Sequence, residues 1–449
     1  MASPSTAPER PIDRALSLAA SGDARGALRY ALPVLESEPK NALPLFVVGH
    51  ALHALDQTDA ARRAFRAAAA RAIDASALPL AVASAVELRA TGDDPAPLFE
   101  QIAQAFGRGS KRLRERRVAP PELPRAEAAL EPLEEALEEP ALSERATLLL
   151  DAAEQSLEQE RGETAKLPLA PQPLFSSLTP DSLKEMISIF EVQILDSGAT
   201  LVEEGTLGAE AFIVARGELE VQKHAPHDET RSIRLARLGS GALVGEMALL
   251  SRAPRAATVT TVRPSIVLVG HKDALDRVVE EAPQLGQQFA EHCKRRMIEN
   301  LVRISALFGA ATPAERKGLV ERFRIRTFEA GESLAQQGQP SEGLHLIASG
   351  EVSIVHREGS EDERTLVATL GSGDVVGEVA LLLRRPAIAD AVAQHPTVTL
   401  FLPKERLREL VRNHPKVFAD LYDLAVTRDE ETATMALEEA TEGDDFILV

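Results

Sequence analysis

Residues 245–259 combine side chains and backbone groups that could bind a small anion; they read GEMALLSRAPRAATV. The guanidinium of Arg255 can offer a charge-assisted fork of N–H donors to the oxygens of a phosphate. A helical turn after Gly245 would add unpaired backbone N–H groups and the positive end of its dipole to the same anion. The carboxylate of Glu246 can accept a hydrogen bond from a sugar hydroxyl. Together these residue types suit a ligand that carries both a phosphate and a ribose hydroxyl.

Small residues flank the two charged ones in this stretch. Gly245 and Ala256 are small enough for the backbone to approach a ligand closely. The candidate ligand-binding residues are Gly245, Glu246, Met247, Ala248, Pro254, Arg255, Ala256 and Ala257. An alternative stays open at this point, because Glu246 and Arg255 could pair with each other in a folded domain that binds no ligand.

A second stretch, residues 377–390, reads GEVALLLRRPAIAD and repeats only part of the pattern. Ala387 stands at the position of Arg255, and Asp390 replaces Thr258. Burying an anion there would cost desolvation free energy that no pairing with a cation offsets. The two arginines of this stretch precede its proline, on the other side from Ala387. We therefore expect a degenerate second site, formed by Gly377, Glu378 and Ala387, that binds no such ligand in the same way.

Short strand-forming runs separated by glycines surround both stretches. In the first copy the predicted strands are Phe190–Leu195, Thr200–Glu203, Ala211–Arg216, Glu218–Gln222, Ser232–Leu238 and Ala256–Val262. Three glycines recur 133 residues later, and each fits a tight turn. The pairs are Gly198 with Gly331, Gly205 with Gly338, and Gly217 with Gly350. The pattern predicts two tandem copies of one β-roll domain, over 173–305 and 306–427, with a helical region at about 272–304.

A helix is expected to open each copy. Thr179 precedes Pro180, and Thr312 precedes Pro313, so that in each copy a threonine can cap a helix whose first residue is proline.

The stretch at 245–259 resembles the phosphate-binding cassette of the cyclic nucleotide-binding domain. This domain occurs in the regulatory subunit of cAMP-dependent protein kinase and in catabolite-activator-type regulators. The resemblance covers 173–305 and, more weakly, 306–427. It implies that Arg255 binds the cyclic phosphate and Glu246 the ribose 2′-hydroxyl. A threonine directly after the cassette arginine favours guanine in the family, so Ala256 favours cAMP, with cGMP the alternative ligand. No cofactor is implied.

Residues 1–106 are expected to form a helical domain, in which residues 11 to about 90 read as helices with almost no strand signal. A 34-residue period relates Leu18 to Leu52 and Ala27 to Ala61. These positions resemble a tetratricopeptide repeat, in which small residues let two helices approach. A plain helical bundle with an alanine-rich core is the alternative. The whole chain is thus expected to be an α+β multidomain protein, with an N-terminal helical repeat region before two cyclic nucleotide-binding β-rolls and their flanking helices.

Residues 107–172 are expected to form a charged linker and an acidic helix. A basic cluster spans 108–117, and an acidic stretch at about 125–160 reads as helix, divided at Pro132 and Pro140. Leucines at 130, 133 and 137 would lie inside, with the glutamates outside. Two interpretations stay open. The segment is either a solvated linker, or a latch in which the basic cluster binds the acidic helix.

Composition limits the class of protein. The chain has 449 residues, enough for about three domains. Its net charge of −19 opposes binding to a phosphate backbone. The single cysteine, Cys293, excludes an intramolecular disulfide and a multi-cysteine metal site, and no metal residue is assigned. Without a signal peptide or an apolar run of spanning length, a cytoplasmic protein is expected.

No catalytic pattern accompanies the two β-rolls, so a non-enzymatic protein is expected. The tail at 428–449 holds eight acidic residues and one arginine, which excludes a DNA-reading domain there. We predict a cyclic nucleotide sensor or adaptor, which binds ligand in the first roll and regulates a protein partner through its N-terminal helices. A constitutive scaffold with unresponsive rolls is one alternative. A transcription regulator that recruits a DNA-binding partner is another.

Overall fold

The structure is a computed structural model. It describes residues 10–114, 130–164, 168–172, 175–225, 228–245, 254–281, 323–357, 364–413 and 421–432, together with a few single positions. These residues fall into two compact units. The first is formed by 1–202, 210–246 and 258–289, and the second by 203–209, 247–257 and 290–449.

Six helices form the N-terminal part of the first unit. They are α1 (Pro11–Ala20), α2 (Ala24–Ser37), α3 (Ala42–Ala54), α4 (Thr58–Asp74), α5 (Leu78–Ala90) and α6 (Ala96–Phe106). Successive helices from α1 to α6 pack against each other. At the crossing of α3 and α4, a Cβ atom on Gly49 would lie 2.9 Å from the ring of Phe65, so only glycine fits this close approach. The helical prediction is confirmed, and the tetratricopeptide resemblance stays a prediction.

The acidic stretch differs from its prediction. Among the described residues of this stretch there is one helix, α7 (Glu139–Thr164), and residues 130–138 are not helical. Pro140 lies in the first turn of α7, where its missing N–H costs no hydrogen bond, so it begins the helix and does not divide it. The predicted helix through Leu130, Leu133 and Leu137 is therefore wrong.

The first β-roll follows α8 (Pro180–Ser188), which Thr179 caps by accepting a hydrogen bond from the backbone N–H of Ser182. Its strands are β1 (Glu191–Leu195), β2 (Thr200–Val202), β3 (Glu210–Arg216), β4 (Leu219–Ala225), β5 (Asp228–Leu238), β6 (Leu243–Val244), β7 (Thr258–Thr261) and β8 (Ser265–His271). They form two antiparallel sheets, in the orders β1-β8-β3-β6 and β2-β7-β4-β5. The six predicted strands are confirmed, and β6 and β8 are additional.

Helix α9 (Lys272–Glu281) follows β8. It is the beginning of the helical region predicted at 272–304; most of that region, including Cys293, lies outside the described residues, as does the predicted cap at Thr312.

The second β-roll repeats the first strand for strand. It contains β9 (Arg324–Phe328), β10 (Ser333–Ala335), β11 (Gly343–Ser349), β12 (Val352–Arg357), β13 (Arg364–Leu370), β14 (Val375–Val376), α10 (Glu378–Leu382), β15 (Asp390–Ala393), β16 (Thr397–Pro403) and α11 (Lys404–Asn413). Its sheets have the orders β9-β16-β11-β14 and β10-β15-β12-β13. A further helix, α12, covers 421–432 and so runs through the boundary predicted at residue 428.

All three pairs of repeated glycines have positive φ angles, between 79° and 120°. This left-handed region favours glycine, which explains why the residue recurs at these turns. The prediction of matched tight turns is confirmed.

The strands of the first roll and the N-terminal helices share one compact unit. Helices α1 and α5 pack against β1, and α5 also packs against β3 and β8. A buried ion pair joins Arg216 Nη1 of β3 to Asp13 Oδ1 of α1 at 2.6 Å. Arg89 of α5 donates to the carbonyl oxygens of Ser188 and Phe190, at 2.6 and 2.8 Å. The helices are therefore fastened to the roll by charge and hydrogen bonds as well as by chain connectivity.

Candidate functional site

Two backbone hydrogen bonds fix the position of Arg255. The N–H of Gly205 donates to the Arg255 carbonyl oxygen, and the N–H of Arg255 donates to the carbonyl oxygen of Thr206, both at 2.8 Å. The loop after β2 thus holds the residue that precedes β7 at a set register. Arg255 is buried, with 8% of its surface exposed.

The guanidinium of Arg255 lies against Gly208. A Cβ atom on Gly208 would be 2.4 Å from Nη2 and 2.8 Å from Nε of Arg255, so any larger residue would push the guanidinium away. Gly208 is not among the residues predicted from the sequence. Its signal is the comparison of the two copies, because Ser341 stands at this position in the copy that lacks the arginine.

The other predicted residues of the first site follow β6 or precede β7 in the sequence. Gly245 directly follows β6 and has a φ of 76°. Pro254, Ala256 and Ala257 are half-buried beside Arg255, in the segment leading into β7. Glu246, Met247 and Ala248 lie outside the described residues.

Ala387 occupies the same backbone position in the second roll. Gly338 N–H donates to the Ala387 carbonyl oxygen at 2.8 Å, and Ala387 N–H donates to Gln339 O at 2.9 Å. They are equivalent to the two backbone hydrogen bonds that hold Arg255 in the first roll. Gly377, with a φ of 94°, directly precedes α10 and is the counterpart of Gly245. The second roll therefore keeps the backbone of the site without the side chain that would pair with a phosphate.

Asp390 has a cationic partner that the sequence analysis did not identify. Nε of Arg357 pairs with the Asp390 carboxylate at 2.7 Å, Nη2 donates a hydrogen bond to it at 2.8 Å, and the backbone N–H of Gln337 donates another at 2.7 Å. Arg357 in turn exchanges hydrogen bonds with the Gln337 side chain. The network is possible because β12 pairs with β15 and brings Arg357 to the end of β15. The carboxylate is thus neutralised within the roll.

Glu378, the counterpart of Glu246, is also paired inside the protein. It is buried, with 2% of its surface exposed, and its Oε1 lies 2.6 Å from Nη1 of Arg428. The same nitrogen donates to the carbonyl oxygen of Val375 at 2.5 Å. Arg428 belongs to α12, and the next residue, Asp429, pairs with Arg385. Residues 428 and 429, which were predicted to belong to an acidic tail, therefore form ion pairs with residues of the degenerate stretch.

Two parts of the chain match the cyclic nucleotide-binding domain, residues 192–282 and 325–414. Among curated proteins, the chain is 28% identical over 244 residues to a cAMP-dependent protein kinase regulatory subunit of Aspergillus niger, covering 53% of this chain and 57% of that protein. It is 27% identical to the Yarrowia lipolytica regulatory subunit, covering 53% and 58%. The chain thus spans less than two thirds of the length of these relatives.

Parts of the chain are also similar to solved structures. The regulatory domain of Toxoplasma gondii protein kinase A with cAMP is 23% identical, with coverage of 57% of this chain and 91% of that one and a TM-score of 0.28. No helix among the described residues is both long and apolar enough to cross a membrane. The family match falls on the two β-rolls described above, and this chain therefore carries two tandem cyclic nucleotide-binding domains.

Proposed function

We propose that the first β-roll binds cAMP and that the second roll binds no cyclic nucleotide in the same way. The observation that carries this proposal is the different side chain held by the same pair of backbone hydrogen bonds. Arg255 occupies that position in the first roll and Ala387 in the second. A guanidinium can form charge-assisted hydrogen bonds to the oxygens of a cyclic phosphate, which the methyl group of Ala387 cannot form.

Three of the predicted residues, together with Gly208, have a stated role in this proposal. Arg255 binds the exocyclic phosphate oxygens, and Gly208 leaves the space that its guanidinium needs. Glu246 accepts the ribose 2′-hydroxyl, as the family resemblance implies. Ala256 offers no hydroxyl to the 2-amino group of guanine, which favours cAMP over cGMP.

The output proposed is regulation of a protein partner through the N-terminal helices, without catalysis by this chain. The curated relatives are regulatory subunits of a kinase, which supports a regulatory role. The contacts of α1 and α5 with the first roll support it too, because a ligand-dependent change in the roll would act on helices fastened to it. Asp196, just after β1, accepts a 2.6 Å hydrogen bond from Ser17 of α1 and adds to this connection.

A binding series with cAMP tests the proposal. Arg255→Ala removes a charged hydrogen-bonding partner worth about 1.5–3 kcal/mol, so affinity should fall roughly ten- to 150-fold. Arg255→Lys should also weaken binding, because an ammonium cannot reproduce the planar fork. Arg234→Ala is the matched control, since Arg234 is an exposed arginine of the same roll, paired with Glu220. Unchanged affinity in both Arg255 variants would remove Arg255 from the site.

A constitutive scaffold is the second candidate, and one observation favours it for the second roll. There, the carboxylates of Glu378 and Asp390 are already paired with Arg428 and Arg357. Such a roll is complete without a ligand. If the first roll also fails to bind cAMP, the scaffold is the better account of the whole chain.

A further inference from the structure

A row of cations lies on one side of the N-terminal helices, in a chain whose net charge is −19. We call it the basic strip; its members are Arg25 and Arg29 of α2, Lys40 before α3, and Arg63 and Arg71 of α4. Helix α7 packs against α2 and α4 and contacts every one of these side chains directly or through the residues just before it. The strip is therefore a surface that already binds one acidic helix.

The centre of the basic strip is Arg63. Its Nε and Nη2 donate to the Glu154 carboxylate at 3.0 and 2.6 Å, and Nη2 also pairs with Asp151. These two acidic residues are three positions apart and lie on one face of α7. One arginine thus recognises a pair of carboxylates on a single helical turn.

The ends of the strip make similar contacts. Arg25 Nη2 pairs with Glu139 at 2.6 Å, at the beginning of α7. Toward the other end, the Glu160 carboxylate pairs with Lys40 Nζ at 2.8 Å and with Arg71 Nη1 at 2.7 Å. Hydrogen bonds from these two cations lower the pKa of Glu160 to about 2. Arg145 of α7 and Glu36 of α2 form an ion pair of the opposite polarity.

The apolar contribution of α7 to this contact is small. Its buried stripe consists of Leu142, Ala146, Leu150 and Ala153. Two leucines and two alanines bury little apolar surface for a helix of this length. Most of the ion pairs are partly exposed, and salt screens such pairs. Helix α7 is therefore held to the strip largely by salt-sensitive contacts.

The match between α7 and the strip is also incomplete. Nε of Arg29 and Nε of Arg71 are buried and have no hydrogen-bond partner among the described residues. Arg71 is 3% exposed, so water does not compensate its donor well. A helix with one more carboxylate or carbonyl oxygen at either point would satisfy the strip better than α7 does.

We propose that the basic strip is a docking surface for an acidic amphipathic helix of a protein partner, and that α7 is a built-in occupant which such a helix displaces. The recognised pattern is a pair of carboxylates three residues apart, a third carboxylate six residues further on, and small or leucine side chains on the adjoining face. The contact is defined without reference to nucleotide binding, so this proposal stands or fails separately from the proposed function.

The test uses the full-length chain and a fluorescein-labelled peptide of residues 139–164. Leu150→Asp places a charge in the buried stripe of α7 and should free the strip, so the peptide should bind this variant more tightly than the unaltered chain. Adding Arg63→Glu should weaken peptide binding at least about tenfold, and so should raising NaCl from about 0.05 M to about 0.5 M. Arg14→Glu, an exposed arginine of α1, is the matched control and should leave peptide binding unchanged.

The outcomes separate a docking surface from an ordinary structural helix. A folded Leu150→Asp chain that does not bind the peptide, or that binds it equally well with Arg63→Glu, overturns the proposal. Duplex DNA or a second copy of the chain that takes the strip in place of the peptide overturns the choice of partner.

If Leu150→Asp does not fold, hydrogen exchange of the unaltered chain decides. Exchange of α7 amides that is faster than in α4 and accelerates with salt supports displacement. Exchange of α7 in step with α4 at both salt concentrations overturns it.

Discussion

Replacing Arg428 by leucine should destabilise the second β-roll by about 3–5 kcal/mol, because a buried carboxylate is left without its cation. Only 3% of the Glu378 side chain is exposed, and its Oε1 lies 2.6 Å from Arg428 Nη1. The value should lie toward the lower end, since 21% of the Arg428 side chain is exposed and water can enter beside it. The carbonyl oxygen of Val375 also loses a charged donor.

Hydrogen exchange in β11 gives the appropriate measure, since the chain has two compact units and a whole-chain melting curve would mix them. The buried amides of Gly343–Ser349 should exchange roughly a hundred- to several-thousand-fold faster in Arg428→Leu. In the double variant Glu378→Gln with Arg428→Leu, no carboxylate remains to be stranded, so much of the lost protection should return.

Arg412→Leu is the control, as it removes an exposed arginine of α11 in the same unit. Its effect should stay within about 0.5 kcal/mol. A loss below about 1 kcal/mol in Arg428→Leu, or no recovery in the double variant, would refute the reasoning that this ion pair closes the degenerate site.

Two further predictions concern a histidine and a glycine. Burial and the charge of Arg326 lower the pKa of His345 to about 4 from 6.5, so between these values the unfolded chain binds a proton that the folded roll does not. The stability of the second roll should fall as pH falls through this window, and the protection of β11 amides against hydrogen exchange should fall less steeply in His345→Gln. Gly208→Val should displace the Arg255 guanidinium and weaken cAMP binding at least about tenfold in a folded chain. Gly239→Ala, at a position with open space, should bind cAMP as the unaltered chain does.

The sequence could predict the β-rolls because their signals are local and occur twice. The glycine spacing predicts turns, and the glycines at these turns have positive φ angles. Strand β8 was missed because SIVLVGH is a continuous apolar run, which does not distinguish a buried strand from a helix. The acidic stretch was misread because glutamate and leucine favour helix, whereas residues 130–138 instead lie along α2, where the Leu133 N–H donates to Arg29 O.

The partners of charged side chains could not be predicted from spacing. Arg428 and Glu378 form a hydrogen bond although they are 50 positions apart in the sequence, and Arg357 and Asp390 do so although they are 33 positions apart. Each meeting depends on how helix α12 or strand β12 lies in the folded roll. The latch interpretation had the same weakness. In the described residues, the α7 carboxylates pair with Arg25, Lys40, Arg63 and Arg71, and Arg112 of the basic cluster pairs with Asp74.

A calorimetric titration of the full-length chain with cAMP tests the central claim most directly, because it reports the affinity and the number of sites together. The account predicts one mole of cAMP bound per mole of chain, and loss of that site in Arg255→Ala. Two moles per chain, with one retained in Arg255→Ala, would show that the roll containing Ala387 binds the nucleotide. No binding at micromolar cAMP by the unaltered chain would contradict the sensor function itself.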